Sequence, residues 1–303
     1  MSPIIHWFRR DLRLHDNTAL AAAAQDSSGA VIPVFILEDR LLHGRWSGAA
    51  RVRFMLESLR ALDAALRERG SMLLLRHGNP EEELLQLAQA SGASGVYWNR
   101  DYSPYATRRD QAVAQTLGDA GYTTRSFKDA VIWEQDEVVK PDGNPYTVYT
   151  PYARRWRTRL AENDIRVAEI SDLHKPAGDL PASRPIPDLA DLGLQTEQQA
   201  IPGGEPHGQQ LLSEFTDLRR KHNIVGYGEA RDLPGLPGTS RLSAHLHLGT
   251  VSIRACLLAA LETEAKIEEK DQDQRASVQA WVSELAWRDF YVQILFHFPH
   301  VLR

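Results

Sequence analysis

The first 130 residues alternate short apolar runs with helical repeats, and no other feature of the chain limits its fold as much. The runs are Ile4–Phe8 (IIHWF), Val31–Leu37 (VIPVFIL), Met72–Leu75 (MLLL), Val96–Trp98 and, more weakly, Tyr122–Phe127 (YTTRSF). Helical patterns fill the gaps over Thr18–Ala24, Ala49–Arg69, Pro80–Ser91 and Pro104–Ala120. In the second of these, Phe54, Leu56, Leu59, Leu62 and Leu66 recur at helical spacing. Asn79-Pro80 followed by Glu81–Glu83 supplies a cap, a proline at the first helical position and acids in the first turn. Strands that are apolar along their length are buried on both faces, and their alternation with helices predicts a doubly wound, Rossmann-like parallel sheet. Such sheets bind ligands at the carboxyl ends of their strands. Here those ends are Arg9–Asn17, Glu38–Gly48, His77–Asn79 and Asn99–Tyr105. None carries GxGxxG or a Walker A sequence, so a nucleotide-binding dehydrogenase or kinase loses support.

The rest of the chain changes character. Residues 131–205 read as a connector: Asp142–Pro145 is a turn cluster, Lys175–Pro187 is proline-rich and Ile201–Pro206 adds Pro-Gly-Gly. The Arg154–Arg159 run (RRWRTR) within it reads as a solvated helix face. Residues 206–303 show only helical patterns: Gln209–Lys221, Ser240–His247, Thr250–Leu261 capped by Thr250, a polar loop at Glu262–Gln274, and Ala276–Pro299. The expected organisation is an α/β domain over 1–130, the connector, and the first part of an all-α domain.

Charge and composition narrow the function classes. The net charge of −5 is 0 over residues 1–134, −3 over 135–200 and −2 over 201–303, so a DNA partner needs a local basic patch. No apolar run approaches the length of a membrane span, Met1–Arg13 lacks a secretory h-region, and Cys256 is the one cysteine. These features predict a cytoplasmic protein without membrane contact. His245, His247, His297 and His300 lack metal-ligand spacing, so no metal is expected.

Chemistry concentrates in the last third. At about 100° per residue, Trp281, Glu284, Trp287, Arg288 and Tyr291 share about a third of one helix circumference. Val282, Leu285, Val292 and Phe296 form the adjacent apolar stripe. An i,i+4 pair between Glu284 and Arg288 would be ordinary on a helix surface. Two tryptophans beside it suit a planar ligand or an unstacked base. Upstream, Gly238-Thr-Ser-Arg-Leu-Ser243 places hydroxyls and backbone amides at an expected helix start, an arrangement that binds phosphate or simply caps a helix.

His6–Asn17 (HWFRRDLRLHDN), Tyr227–Arg231 (YGEAR), Gly238–Ser243 (GTSRLS) and Trp281–Tyr291 (WVSELAWRDFY) together resemble, in order, successive signatures of the photolyase/cryptochrome family. Within it, the resemblance is to microbial class I cyclobutane pyrimidine dimer photolyases. It implies that Tyr227 and the run Thr239, Ser240, Arg241, Leu242, Ser243 hold FAD, chiefly its phosphates, and that Trp281 and Arg288 line the flavin cavity. It also implies that Glu284 hydrogen-bonds a flipped pyrimidine dimer, that Trp287 stacks on it, and that Arg231 and Tyr291 lie on the DNA side. Burial beside aromatic rings would help Glu284 hold a proton. The implied reaction is light-driven electron transfer from reduced FAD that splits the dimer in DNA. A cryptochrome-like photoreceptor or an inactive fragment is the alternative. Phe35, Arg51 and Asp101 resemble the branch with an 8-hydroxy-5-deazaflavin antenna. Ala106, where the folate branch has glutamate, disfavours methenyltetrahydrofolate. The family's helical domain extends beyond the segment matching Trp281–Tyr291. The chain therefore reads as C-terminally truncated, expected to be monomeric, nucleoid-associated when on DNA, and poor by itself at retaining FAD or repairing DNA.

Overall fold

The computed structural model describes residues 2–44, 47–176, 180–198 and 201–302. Residues 177–179 and 199–200 of the expected connector, and residues 45–46 of the Glu38–Gly48 segment, lie outside the described residues. The elements are β1 (Ile4–Phe8), α1 (Thr18–Asp26), β2 (Val31–Leu37), α2 (Asp39–His43), α3 (Ala49–Glu68), β3 (Leu74–His77), α4 (Pro80–Ser91), β4 (Gly95–Asn99), α5 (Pro104–Asp119), β5 (Thr123–Phe127), α6 (Tyr149–Glu162), α7 (Glu205–Thr216), α8 (Tyr227–Ala230), α9 (Ser243–Leu248), α10 (Ile253–Ala265) and α11 (Gln272–His297).

All five strands are parallel, in the order β3-β2-β1-β4-β5, the doubly wound arrangement expected. β1 shows why its run is apolar throughout. Ile4 and Phe8 pack on one face with Leu20, Phe35, Leu56 and Leu59, whereas Ile5 and Trp7 pack on the other with Ile32, Val34, Leu84 and Val113. β5 is an edge strand and largely exposed, which accounts for its weak apolar signal. The Asn79 side chain accepts from Glu81 N at 2.9 Å and Pro80 occupies the first position of α4.

Several boundaries differ from the sequence expectation. The third strand is Leu74–His77 rather than Met72–Leu75. The helix expected at Gln209–Lys221 is α7, which starts at Glu205 and ends at Thr216. The expected Ser240–His247 helix begins only at Ser243. Thr250 is not the cap of α10. Its hydroxyl is engaged by His245 at 2.7 Å, and Ser252 caps instead, accepting from Arg254 N at 3.1 Å. The polar segment 262–274 is divided between the end of α10 and the start of α11. Phe296, placed in the apolar stripe, is 40% exposed. The basic run lies on α6 as expected, but Trp156 at its centre is fully buried.

The signature HWFRRDLRLHDN proves to be the seam between the sheet and the helical layer. Arg13, 2% exposed, donates to Gly249 O at 3.0 Å and to Asp129 Oδ1 at 2.6 Å. Arg254 on α10 grips Asp16 Oδ1 and Oδ2, each at 2.9 Å, and Asp129 Oδ1 at 2.9 Å. Glu205 accepts from Leu14 N and His15 N at 2.7 and 2.9 Å. Asp11 accepts from Arg9 N at 2.7 Å and from the Asn99 amide at 2.7 Å. Burial alone would raise its pKa, but His6 and Arg9 bring it down to about 2. Gly249 ends α9 with φ 64, and a Cβ there would sit 2.0 Å from Arg10 O. Gly249→Ala combines a left-handed backbone with a steric clash, and is expected to cost about 3 kcal/mol in urea unfolding. A loss below about 1 kcal/mol would mean that this seam is not closely packed.

Candidate functional site

Two surfaces and a crevice gather the candidate residues. The crevice opens at the carboxyl ends of β1 and β4, the switch point of the sheet, with a volume of about 70 Å³. Arg10 and Asp101 line it from the α/β side, and His247, Arg288, Val292 and Leu295 from the helical side. Arg10 closes it, donating from Nε to His247 O at 2.8 Å, with Nη2 3.0 Å from His247 Nδ1 and Nη1 3.5 Å from Asp101 Oδ1. Burial raises the Asp101 pKa, but Arg10 and Arg9 outweigh it and hold the carboxyl below its usual range. Burial against the crevice wall, then Arg10, Arg288 and Arg51, push His247 down to about 4.

Arg288 belongs to this crevice. It donates to Leu246 O at 3.0 Å, its buried Nε lacks a hydrogen-bond partner, and burial followed by Arg10 lowers its pKa. The structure thus separates Arg288 from the Thr239–Ser243 run with which the resemblance grouped it, since α11 turns it toward the sheet. Of the three antenna candidates, Asp101 lines the crevice, and Arg51, in the exposed first turn of α3, acts on it electrostatically. Phe35 is 3% exposed and packs in the sheet core.

The first surface is the outer face of α11. Trp281 is 4% exposed and packs on Phe215 with ring centroids 5.4 Å apart. Glu284 lacks the burial expected of it: its side chain is 44% exposed and paired with Arg231 Nη1 at 2.9 Å. The Arg231 guanidinium also lies 5.6 Å from the centroid of the Tyr227 ring, which is itself buried. Trp287 is half-buried, and Tyr291 beyond it is 62% exposed, with rings 5.5 Å apart and inclined by 24°. So Glu284, Trp287 and Tyr291 share one face of α11, as the helical spacing suggested, without Arg288, and Arg231 joins them from the end of α8.

The second surface is a groove of about 300 Å³ lined by Phe215, Arg220, Lys221, His222, Thr239, Ser240 and Arg241. The helix start expected just after Gly238 is absent. Thr239 and Ser240 sit in a loop, and Arg241 takes a left-handed conformation, φ 55, before α9 begins. Leu242 is 1% exposed and is a core side chain. Trp281 Nε1 donates to Ser240 Oγ at 3.4 Å, which ties this groove to the α11 face. Glu214 also lines the groove and pairs with Arg220 at 3.2 Å, so Lys221 and Arg241, with the two hydroxyls, are the groups that suit a pyrophosphate.

Sequence reading missed two residues that shape these surfaces. Asp289 on α11 is 1% exposed and accepts from Ile132 N at 3.1 Å, Trp133 N at 3.0 Å and Trp156 Nε1 at 2.9 Å. Its signal was a carboxylate set among the large side chains of WRDF. Tyr149, the first residue of α6, stacks on Trp287. Nothing in its sequence neighbourhood marked it.

Residues 4–172, more than half of the chain, match the DNA photolyase family. The chain belongs to the DNA photolyase family. A deoxyribodipyrimidine photo-lyase of Halobacterium salinarum is 37% identical over 98% of the chain, which spans 62% of that protein. An uncharacterised 31.6 kDa protein of a Synechococcus species is 38% identical over 94% of the chain and 98% of its own length. Among solved structures, a class III photolyase from Agrobacterium tumefaciens superposes with a TM-score of 0.81 at 33% identity, over 99% of the chain and 60% of that protein. This neighbour is class III, whereas the sequence motifs resemble class I. The chain spans about 60% of the length of the photolyases it matches. Among its described residues no helix is long and apolar enough to cross a membrane.

Proposed function

We propose that this photolyase-family chain serves light-dependent repair of cyclobutane pyrimidine dimers in DNA, with FAD held at the groove and the lesion on the α11 face. The carrying observation is the proximity of two unlike surfaces. A hydroxyl-bearing groove with Lys221 and Arg241 in its wall meets Trp281 at Ser240, and the same helix presents Trp287 and Glu284 less than two turns further on. Bound there, reduced FAD would supply the light-driven electron-transfer chemistry of the repair.

The residues of the chain do the positioning. Lys221 and Arg241 would neutralise the flavin pyrophosphate, joined by Arg220 if it leaves Glu214, Thr239 and Ser240 would donate hydroxyl hydrogen bonds to it, and Trp281 would border it. Trp287 stacks on the extruded dimer. Glu284 exchanges its contact with Arg231 for a hydrogen bond to the dimer, and the released Arg231 guanidinium turns to a DNA phosphate. The crevice at β1 and β4 would take a second, light-harvesting chromophore. Asp101, Arg51 and His247 are its polar partners, and an 8-hydroxy-5-deazaflavin remains the preferred ring system. Ala106 is 1% exposed and supplies no carboxylate for a folate. At about 70 Å³ the crevice is well below the ~300 Å³ of ordinary ligand pockets, so Arg10 must move for a three-ring ligand to enter.

Purified protein mixed with FAD and a dimer-containing oligonucleotide, then illuminated, tests the reading. Restored thymine supports repair, and light-dependent flavin chemistry without restoration favours a photoreceptor. Trp287→Ala is expected to weaken binding of the damaged oligonucleotide by about 1–3 kcal/mol, in line with the loss of one stacked base, while flavin retention is unchanged. Equal binding of variant and wild type would remove Trp287 from the lesion site.

A further inference from the structure

We propose that Tyr149 is a positioning residue for the lesion: it fills one face of Trp287 and fixes the indole so that its remaining open surface meets the extruded base. The inference rests on the reading of the α11 face as the lesion-stacking surface. Its own support is geometric. The Tyr149 and Trp287 rings lie with centroids 3.5 Å apart and planes inclined by 9°, a full face-to-face stack. The Tyr149 hydroxyl donates to Ser283 O at 2.9 Å. Ser283 lies one helical turn before Trp287, so the same tyrosine grips both the indole and the backbone that carries it. Phe290 closes the edge, with its ring 5.7 Å from Tyr149 and 5.6 Å from Trp287 and nearly perpendicular to both. A half-buried indole held this way is already ordered before a base arrives, so stacking need not spend affinity on fixing its rotamer. Tyr291 lies near-parallel to the indole as well, its centroid 5.5 Å away and inclined by 24°, so a base placed on Trp287 must share the indole with Tyr291.

The test compares wild type, Tyr149→Phe, Tyr149→Ala and Trp287→Ala by fluorescence anisotropy, using a labelled oligonucleotide with one thymine dimer and its undamaged twin. Unfolding midpoints are recorded for all four proteins. The phenylalanine variant keeps the stack and is expected to bind the damaged strand within about twofold of wild type. The alanine variant is expected to lose about tenfold in preference for damaged over undamaged DNA, approaching Trp287→Ala, with undamaged binding unchanged. If Tyr149→Ala keeps the wild-type preference, or loses affinity for both strands equally, the positioning role is overturned while the lesion reading stands. If wild type itself shows no preference for the dimer, the lesion reading falls and the proposal falls with it.

Discussion

Arg254→Ala is expected to lower the unfolding free energy by about 3–5 kcal/mol, the cost of breaking a buried ion pair from one side. The arginine sits among Asp16 and Asp129, which are 1% and 2% exposed, and it bonds two carboxylates and two backbone carbonyls, those of Asp16 and Asp129. Truncation leaves Asp16 buried with the Ser252 hydroxyl and Ala168 N as its remaining side-chain partners. Asp129 keeps Arg13. The two aspartates therefore separate in a double-mutant cycle. Arg254→Ala should couple strongly to Asp16→Asn and weakly to Asp129→Asn, measured by urea unfolding. Equal coupling to both would mean that Arg13 does not hold Asp129 independently. Because Asp16 precedes α1 and Arg254 lies on α10, the loss should uncouple the helical layer from the sheet rather than soften either core.

The second large effect is a pH dependence. Burial pushes Asp289 up to about 6, despite three N–H donors that favour its charged form. A carboxyl raised from 3.8 to about 6 favours folding below its unfolded pKa, and this contribution is lost as pH rises through 6. At about 1.4 kcal/mol per unit the loss is about 3 kcal/mol between pH 4 and 7. His245 and His247, each held near 4, act in the opposite direction over the same window, gaining stability as pH rises. Wild type alone therefore shows only the balance, and Asp289→Asn isolates the aspartate. The stability of the variant minus that of wild type should rise by about 3 kcal/mol from pH 4 to 7. A flat difference would show that Asp289 does not titrate there.

Much of the fold was legible because its signals are local. Ile4–Phe8 and Val31–Leu37 are apolar at every position but His6 and Pro33, and the two strands coincide with those runs. Asn79-Pro80 with Glu81–Glu83 fixed the start of α4 from five residues of sequence. The seam was legible only as a signature. HWFRRDLRLHDN was recognisable, but that Arg13 and Asp16 meet Asp129 and Arg254 depends on chain segments more than a hundred residues away. The same is true of Asp289, whose donors lie 157, 156 and 133 residues upstream. Of the candidate site, helical spacing placed Glu284, Trp287 and Tyr291 on one face. It could not tell that Arg288 turns toward the sheet or that Glu284 is half-exposed, because both depend on what packs against α11. Thr250 was misread as a cap for a related reason: a buried histidine competes for its hydroxyl.

The Arg10 closure of the crevice makes occupancy a matter of thermodynamic linkage. Any ring ligand that needs the crevice open binds only the fraction of molecules in which Arg10 has left His247, and its apparent affinity is reduced by that fraction. The linkage is reciprocal, so a bound chromophore would disfavour the closed contact between Arg10 and α9. The crevice and the seating of the helical layer would then share a single equilibrium.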